Sequence, residues 1–404
     1  MDFKALALII LTVVYLYGTL LKLLQYRSAG RPIPPNVMDV YDVDTYKKWR
    51  SYNAEKTRLS MLESTVDFAA NFVLMASNAY AAFAGLFAQT PFMQMFGVLL
   101  LSALTSILTL PFSYYNTMGI EEKYGFNRSS KKTFWADQVK NFLIGLLILV
   151  AVGSLLLWLH QALGDWLILA FAVVMSLLAL AITFLYPYLS KIFNKFTPLE
   201  DGELKDRLTA MLEKSGYKVR AIQVMDASRR STKSNAYFTG FGKMKTIVLY
   251  DTLVQSMTTE EILAVFAHEM GHGLHKDTLK FQALSFLQMA VLGVLAWLTL
   301  RADGLFSCFG FAGVNYGFAV ILIMSVEFAL VAPLFGLLVN YFSRRQEYRA
   351  DAQAAKEGYT DALISALKKL AKENFADLSP HPLLVKLEYS HPTLSQRIAA
   401  LERN

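Results

Sequence analysis

Residues 317–351 read GFAVILIMSVEFALVAPLFGLLVNYFSRRQEYRAD. Residues 317–341 carry a single charge, Glu327. A helix needs roughly 20 apolar residues to cross a hydrocarbon layer, so this stretch reads as a membrane span. No breaker separates it from Ser343-Arg344-Arg345-Gln346-Glu347-Tyr348-Arg349-Ala350-Asp351. The span therefore runs on as a charged helix outside the membrane. Glu347 and Asp351, four residues apart, share one face of it. The plain alternative is an ordinary charged helix exit with solvated arginines.

The rest of the chain fits a membrane protein. Hydrophobic residues make up 54% of the 404 and charged residues only 18%, against about 25% charged in a soluble domain. Ala5–Leu21 is a first apolar stretch. Its flank carries only Lys4 and no small-residue cleavage site follows, so it reads as a retained helix rather than a signal peptide. Phe68–Ile120 has no charge and breaks at Gln89-Thr90-Pro91, which predicts a hairpin of helices over 68–88 and 92–112. Phe142–Leu159, Trp166–Tyr186 and Phe281–Leu300 complete seven spans, with Gly164-Asp165 in a tight turn. Residues 25–66 hold seven Lys or Arg and residues 113–140 hold five, whereas 89–91 and 161–165 hold none. Positive loops stay inside, so the N-terminus is expected outside and the C-terminus in the cytoplasm.

The net charge of +7 sits in these loops, not in a basic stretch with interleaved aromatics, so no nucleic-acid partner is expected; membrane lipid is. The single cysteine, Cys308, excludes an intrachain disulfide and a four-thiolate metal site. It falls in an outer loop, which argues against a cysteine mechanism. The expected divisions are 1–186 with spans one to five, 187–280 as a first peptidase segment, 281–341 with spans six and seven, and 342–404 as a second peptidase segment. The two peptidase segments are expected on the cytoplasmic side. Leu204–Ser215 reads as an amphipathic helix ended by Gly216. Val219–Met225, Ala236–Phe241 and Thr246–Tyr250 read as strands.

Thr258-Thr259-Glu260-Glu261 is a capping box that opens a helix over 259 to about 275. It carries His268-Glu269-Met270-Gly271-His272. The two histidines lie one turn apart on one face, and Glu269 is rotated by about 100° towards a water rather than the metal. A polar surface face is the alternative, but Ile262, Leu263, Val265, Phe266 and Ala267 bury this helix, and buried histidines need partners. Zinc, one ion per chain, supplies them. A catalytic zinc takes three protein ligands. His275 is nearest in sequence but turns off the shared face. Glu347 is preferred; it shares a face with Asp351, so one carboxylate can ligate zinc while the other accepts the N–H of a ligating imidazole.

The chain resembles the type I CAAX prenyl endopeptidases over nearly its whole length. The resemblance rests on His268–His272, on Ser343-Arg344 leading to Glu347 and Ala350-Asp351, and on Glu121-Glu122-Lys123-Tyr124-Gly125-Phe126-Asn127. Phe196-Thr197-Pro198-Leu199, Ser234-Asn235-Ala236 and Ser390-His391-Pro392 match too. It implies a mostly α fold: a seven-span transmembrane helical barrel enclosing a chamber, with a cytoplasmic α+β zinc metallopeptidase domain. Asn71, Asn78 and Glu327 would then face the chamber. It implies removal of the C-terminal tripeptide from prenylated proteins. It makes Glu347 the third ligand with Asp351 behind it, and Asn235, His391 and Arg397 contacts for substrate backbone or oxyanion. From the residues alone, His391 reads equally as a helix-start residue and Arg397 as a partner of Glu388.

The chain lacks a recognisable retention signal and is shorter than expected of eukaryotic members, which implies a bacterial homologue in the inner membrane; a eukaryotic chain would sit in the endoplasmic reticulum. Two readings compete with prenyl-protein processing. One is a membrane quality-control protease without prenyl specificity. The other is an inactive zinc-containing scaffold or transporter, against which the intact Glu269 counts. An extended substrate peptide is expected to add to the edge of the 235–241 strand, with Thr239 and Gly240 in contact.

Overall fold

The computed structural model describes residues 2–216, 219–239, 246–275, 277–302 and 304–403. Asp2 caps the first helix, Phe3–Ser28, by accepting from Lys4 N and Ala5 N. Its exposed Ile9, Val13, Leu16 and Leu20 recur every three or four residues, an uncovered apolar stripe suited to lipid.

The second helix differs from expectation. It begins at Val43, capped by Asp42, and runs 34 residues to Ala76, about 50 Å. Much of the charged loop expected over 25–66 is thus the lower half of a helix that projects beyond the apolar layer. The helix stops where Asn78 takes a left-handed φ of 60°. A short turn of helix, Ala79–Ala84, follows. Thr90 then caps Pro91–Thr105, with proline in the first turn where its missing N–H costs nothing. This helix continues to residue 121 through a 3-10 turn and the π segment Tyr115–Glu121.

Lys131–Leu163 and Leu167–Leu189 form the next pair, turned by Gly164 at φ 51°. Asp277–Arg301 follows. Tyr316–Leu322, a π turn over 323–327 and Phe328–Lys356 form one unbroken path from the last apolar stretch into the charged one. Among the described residues, six helices are long and apolar enough to cross a membrane.

These helices form a ring. Phe3–Ser28 packs on Val43–Ala76, which packs on the 106–121 segment; Pro91–Thr105 packs on Lys131–Leu163, and that on Leu167–Leu189. Asp277–Arg301 joins Leu167–Leu189 to Phe328–Lys356, which returns to the first helix. Only 6% of the apolar window of Val43–Ala76 is buried, and 44% of that of Tyr316–Lys356. Helices packed as a solid bundle would bury more. The polar groups within the apolar helices tie neighbours together: Lys4 Nζ donates to Asn78 Oδ1 at 2.8 Å, and Thr299 Oγ1 donates to Glu327 Oε1. Asn71 bonds within its own helix, to Asp67 O.

A four-stranded sheet lies beside the ring: β1 (Phe196–Pro198), β2 (Ala221–Met225), β3 (Ala236–Thr239) and β4 (Thr246–Tyr250), in the order β1-β2-β4-β3. β2 and β4 are parallel and both outer pairs antiparallel. β1 is absent from the sequence reading. The segment joining β3 and β4, including Gly240, lies outside the described residues. The helix Glu203–Lys214 ends near Gly216, at φ 65°.

Behind the sheet, Leu208, Leu249, Leu253, Leu263 and Phe266 share one core with Ala354, Leu363, Leu367 and Leu401. The two sequence segments therefore build one hydrophobic unit. The loop after the first helix joins a neighbouring core: Val37, Tyr41 and Trp49 pack on Ala371, Leu378 and Ile398. Trp49 Nε1 donates to Phe375 O at 3.1 Å.

Candidate active site

Thr259–Leu274, the histidine helix, starts with both halves of its capping box formed, Thr258 and Glu261 bonding each other's backbone. Residues 262–267 are all buried, so His268 and His272 project from a fixed rod. Phe328–Lys356, the glutamate helix, crosses it. A Cβ on Gly271 would stand 2.9 Å from Ala350 Cα and 3.2 Å from Gln353 Cβ. The missing side chain lets the two backbones touch. That contact carries Glu347 to the histidines.

Nε2 of His272 lies 3.2 Å from Glu347 Oε1, and Nε2 of His268 lies 3.6 Å from Glu347 Oε2. One donor atom from each of the three falls within 4.8 Å of the others. A small tetrahedral ion with bonds of about 2.0–2.1 Å sets its ligands roughly 3.4 Å apart, so the set fits one. Glu347 is buried, and its Oε2 accepts no hydrogen bond although it lies 3.2 Å from Arg397 Nη1. The surroundings favour positive charge at the centre. Burial alone would lower the His272 pKa, but Glu347, Glu269 and Asp277 outweigh it and raise it to about 8.

Each imidazole is held from behind. His268 Nδ1 lies 2.8 Å from Asp351 Oδ1, and His272 Nδ1 lies 3.3 Å from Asp277 Oδ2. Asp277 is 3% exposed and receives Arg349 Nη2 at 3.1 Å and Lys280 Nζ at 3.2 Å. The sequence reading missed it. It lies just past the end of the histidine helix, on the start of the next one, where spacing alone assigns no shared face.

Arg397 does not pair with Glu388. Its Nε and Nη2 grip Asp351 in a fork, at 2.9 and 2.6 Å, and its Nη1 faces Glu347. Burial would lower its pKa, but Asp351 outweighs burial and the net shift is upward. His391 takes the open side: its side chain is 61% exposed, with Nε2 3.4 Å from Glu347 Oε1 and Nδ1 2.8 Å from Ser390 Oγ. Glu269 is partly exposed and has no protein hydrogen bond among the described residues. Desolvation pushes its carboxyl above the usual carboxylate range. His275 is exposed at the helix end and outside the cluster. Asn235 is also outside it. Its exposed amide accepts from Ala236 N at 2.9 Å.

Residues 198–404 match Peptidase family M48, and residues 5–195 match the CAAX prenyl protease N-terminal region of five membrane helices. The chain belongs to peptidase family M48. Relatives span it almost end to end. CAAX prenyl protease 1 of Saccharomyces cerevisiae is 32% identical, over 94% of this chain and 90% of its own. The human CAAX prenyl protease 1 homolog is 31% identical, over 96% and 93%. The crystal structure of S. mikatae Ste24p superposes with a TM-score of 0.91 at 29% identity, covering 100% of this chain and 99% of that one. The M48 chain is thus a multi-pass membrane metalloendopeptidase.

Two substitutions test this geometry. Gly271→Val forces the helices apart and destabilises by about 1–3 kcal/mol. The purified variant should show a lower metal-to-protein ratio and a lower Tm. Asp277→Ala frees the His272 ring and should weaken metal affinity about 10- to 100-fold, measured by chelator competition. His275→Ala should leave affinity unchanged in the same assay.

Proposed function

We propose that this chain is a zinc endopeptidase that trims prenylated CAAX-type C-termini. Its site rests on His268, His272 and Glu347 as ligands and on Glu269 as general base. Seven spans enclose a chamber, and the positive loops put the N-terminus outside and the peptidase unit in the cytoplasm. The observation that carries the chemistry is the division of the carboxylates. Glu347, Asp351 and Asp277 are each bound to histidine or arginine, while Glu269 is partly exposed and, among the described residues, has no hydrogen-bond partner. The substrate class rests on relatives named CAAX prenyl protease that match the chain throughout.

Zinc bound there supplies a Lewis acid for the scissile carbonyl and a water of lowered pKa. Glu269 takes the proton of the attacking water and delivers it to the leaving amine. His391 presents Nε2 on the open side, where it donates to the developing oxyanion. Arg397 has its fork committed to Asp351, so it acts by positioning: it fixes Asp351, which fixes His268.

Substrate docks as an added strand on β3, the edge of the sheet. Tyr250 N donates to Asn235 O, which makes 235–250 a hydrogen-bonded pair. Bonded and non-bonded pairs alternate, so 237–248 and 239–246 are bonded to β4 as well. Thr239 therefore points its backbone into the sheet. Ala236 and Phe238 point theirs to the free edge, and the Ala236 N–H is already taken by Asn235. Phe238 then carries the outward-facing backbone donor.

A farnesylated CAAX peptide should be cut with at least tenfold higher kcat/KM than its unlipidated twin. Equal rates would sink the prenyl reading in favour of quality control. Glu269→Gln should keep the metal and lose 10²–10⁴-fold in kcat; a metal-loaded variant with near wild-type turnover removes Glu269 as base. Phe238→Pro should raise KM for a short peptide about 2- to 12-fold, the loss of one backbone hydrogen bond, with metal content intact. Thr239→Pro should instead damage the sheet, lowering Tm.

A further inference from the structure

Exposed Leu330, Leu334, Leu337, Tyr341, Arg345 and Tyr348 recur at intervals of three or four along the glutamate helix, on one face. Leu334 is 63% exposed. An uncovered leucine stripe on a span faces lipid. At Tyr341 the stripe turns from apolar to aromatic and cationic, with the Arg345 guanidinium 5.7 Å from the Tyr341 ring centroid. Tyrosine and arginine in that order mark the level where headgroups begin.

Here the glutamate helix and the short helix Pro382–Glu388 frame a cavity of about 330 Å³. Arg344, Arg345 and Lys386 line it together with Tyr341, Tyr348 and Gln396. Arg344 ties the two helices, its Nη1 donating to Val385 O at 3.1 Å and to Tyr389 O at 2.5 Å. Arg345 and Lys386 are exposed. Among the described residues none of the three cations meets a carboxylate. Glu388, next to them in sequence, accepts from Tyr17 instead. Three other cations on this part of the chain are matched, Arg349 with Asp277, Lys369 with Glu261 and Lys368 with Asp39, and the unpaired ones outside the pocket, such as Lys356 and Lys372, do not line it.

We propose that this pocket binds the phosphate of one anionic phospholipid at the bilayer surface. Arg345 and Lys386 contact the phosphate oxygens, and Tyr341 and Tyr348 lie beside the glycerol. The volume suits a headgroup, with the acyl chains running down the leucine stripe. The same turn of helix that presents Tyr348 to the lipid presents Glu347 to the histidines. Gln396 in the pocket precedes Arg397 in the site. A lipid seated here sets the height at which the span leaves the membrane and hence the position of Glu347.

The full chain in detergent is titrated with phosphatidylglycerol or phosphatidylcholine of equal acyl chains, and retained lipid is counted by native mass spectrometry. One phosphatidylglycerol should be held at least tenfold more tightly than phosphatidylcholine. Arg345→Gln with Lys386→Gln should weaken it roughly 25-fold, from about 5-fold for each cation near an anionic surface. Lys131→Gln with Lys132→Gln, exposed at the start of another helix, should not. If the double variant fails to fold, Arg345→Gln alone should give the 5-fold loss. Unchanged retention in the folded variant, equal loss in the control pair, or displacement of the lipid by millimolar inorganic phosphate would each overturn the assignment.

Discussion

Gly271 and Ala350 touch backbone to backbone, and the site is built outward from that contact. With no side chain between them, the histidine helix and the glutamate helix approach closely enough for Glu347 to stand against both His268 and His272. The alanines at 267, 350 and 354 are fully buried and extend the close seam on both sides. Small residues placed there do what cross-linking would do elsewhere. They fix the distance between two rods whose sequences lie some eighty residues apart. Because the glutamate helix is continuous with the last apolar helix, the same contact joins the peptidase unit to the membrane ring.

The close seam concentrates negative charge. Glu269, Glu347, Asp351 and Asp277 surround two histidines, and the cations among them are Arg397 and Arg349, with Lys280 at the rim. Desolvated carboxylates persist only when paired or bonded. Asp351 is satisfied by the Arg397 fork and Asp277 by Arg349. Glu347 retains an oxygen with no hydrogen bond. That orphan oxygen and the upward shift of His272 have one origin, a centre whose field is negative before any ion enters. The arrangement separates two tasks. Carboxylates tied to arginine hold imidazoles, and among the described residues Glu269 is the one of the four without a hydrogen-bond partner.

Most of the ring and the meeting of His268, His272 and Glu347 were legible in the sequence because each signal is local. Apolar length marks a span, i and i+4 spacing marks a shared helix face, and Glu347 lies on an uninterrupted helical path. What was missed depends on tertiary placement. The charged residues 43–66 read as a loop because hydropathy cannot see a helix that continues beyond lipid. Asp277 reaches His272 from the start of the next helix, a placement that spacing along one helix does not assign. Arg397 read as a partner of Glu388 because Glu388 is the carboxylate near it in sequence; Asp351 is brought to it only by the packing of the last helix against the glutamate helix. Thr239 and Phe238 differ by one residue, and strand parity, set by the pairing with β4, sends them to opposite sides.

The glutamate helix also settles how membrane and site are coupled. A helix transmits a shift along its axis almost undiminished, because each turn is bonded to the next. Arg344 is one turn before Glu347 and is bonded to the carbonyls of Val385 and Tyr389, two residues short of His391. A displacement of the span along its axis therefore carries both Glu347 and, through Arg344, the loop that bears His391. Had Glu347 come from a separate loop, the metal site would be indifferent to how deeply the span sits. Placed on the span's own helix just past its apolar stretch, Glu347 is tied to the depth of that span, and so is the cluster it forms with His268 and His272.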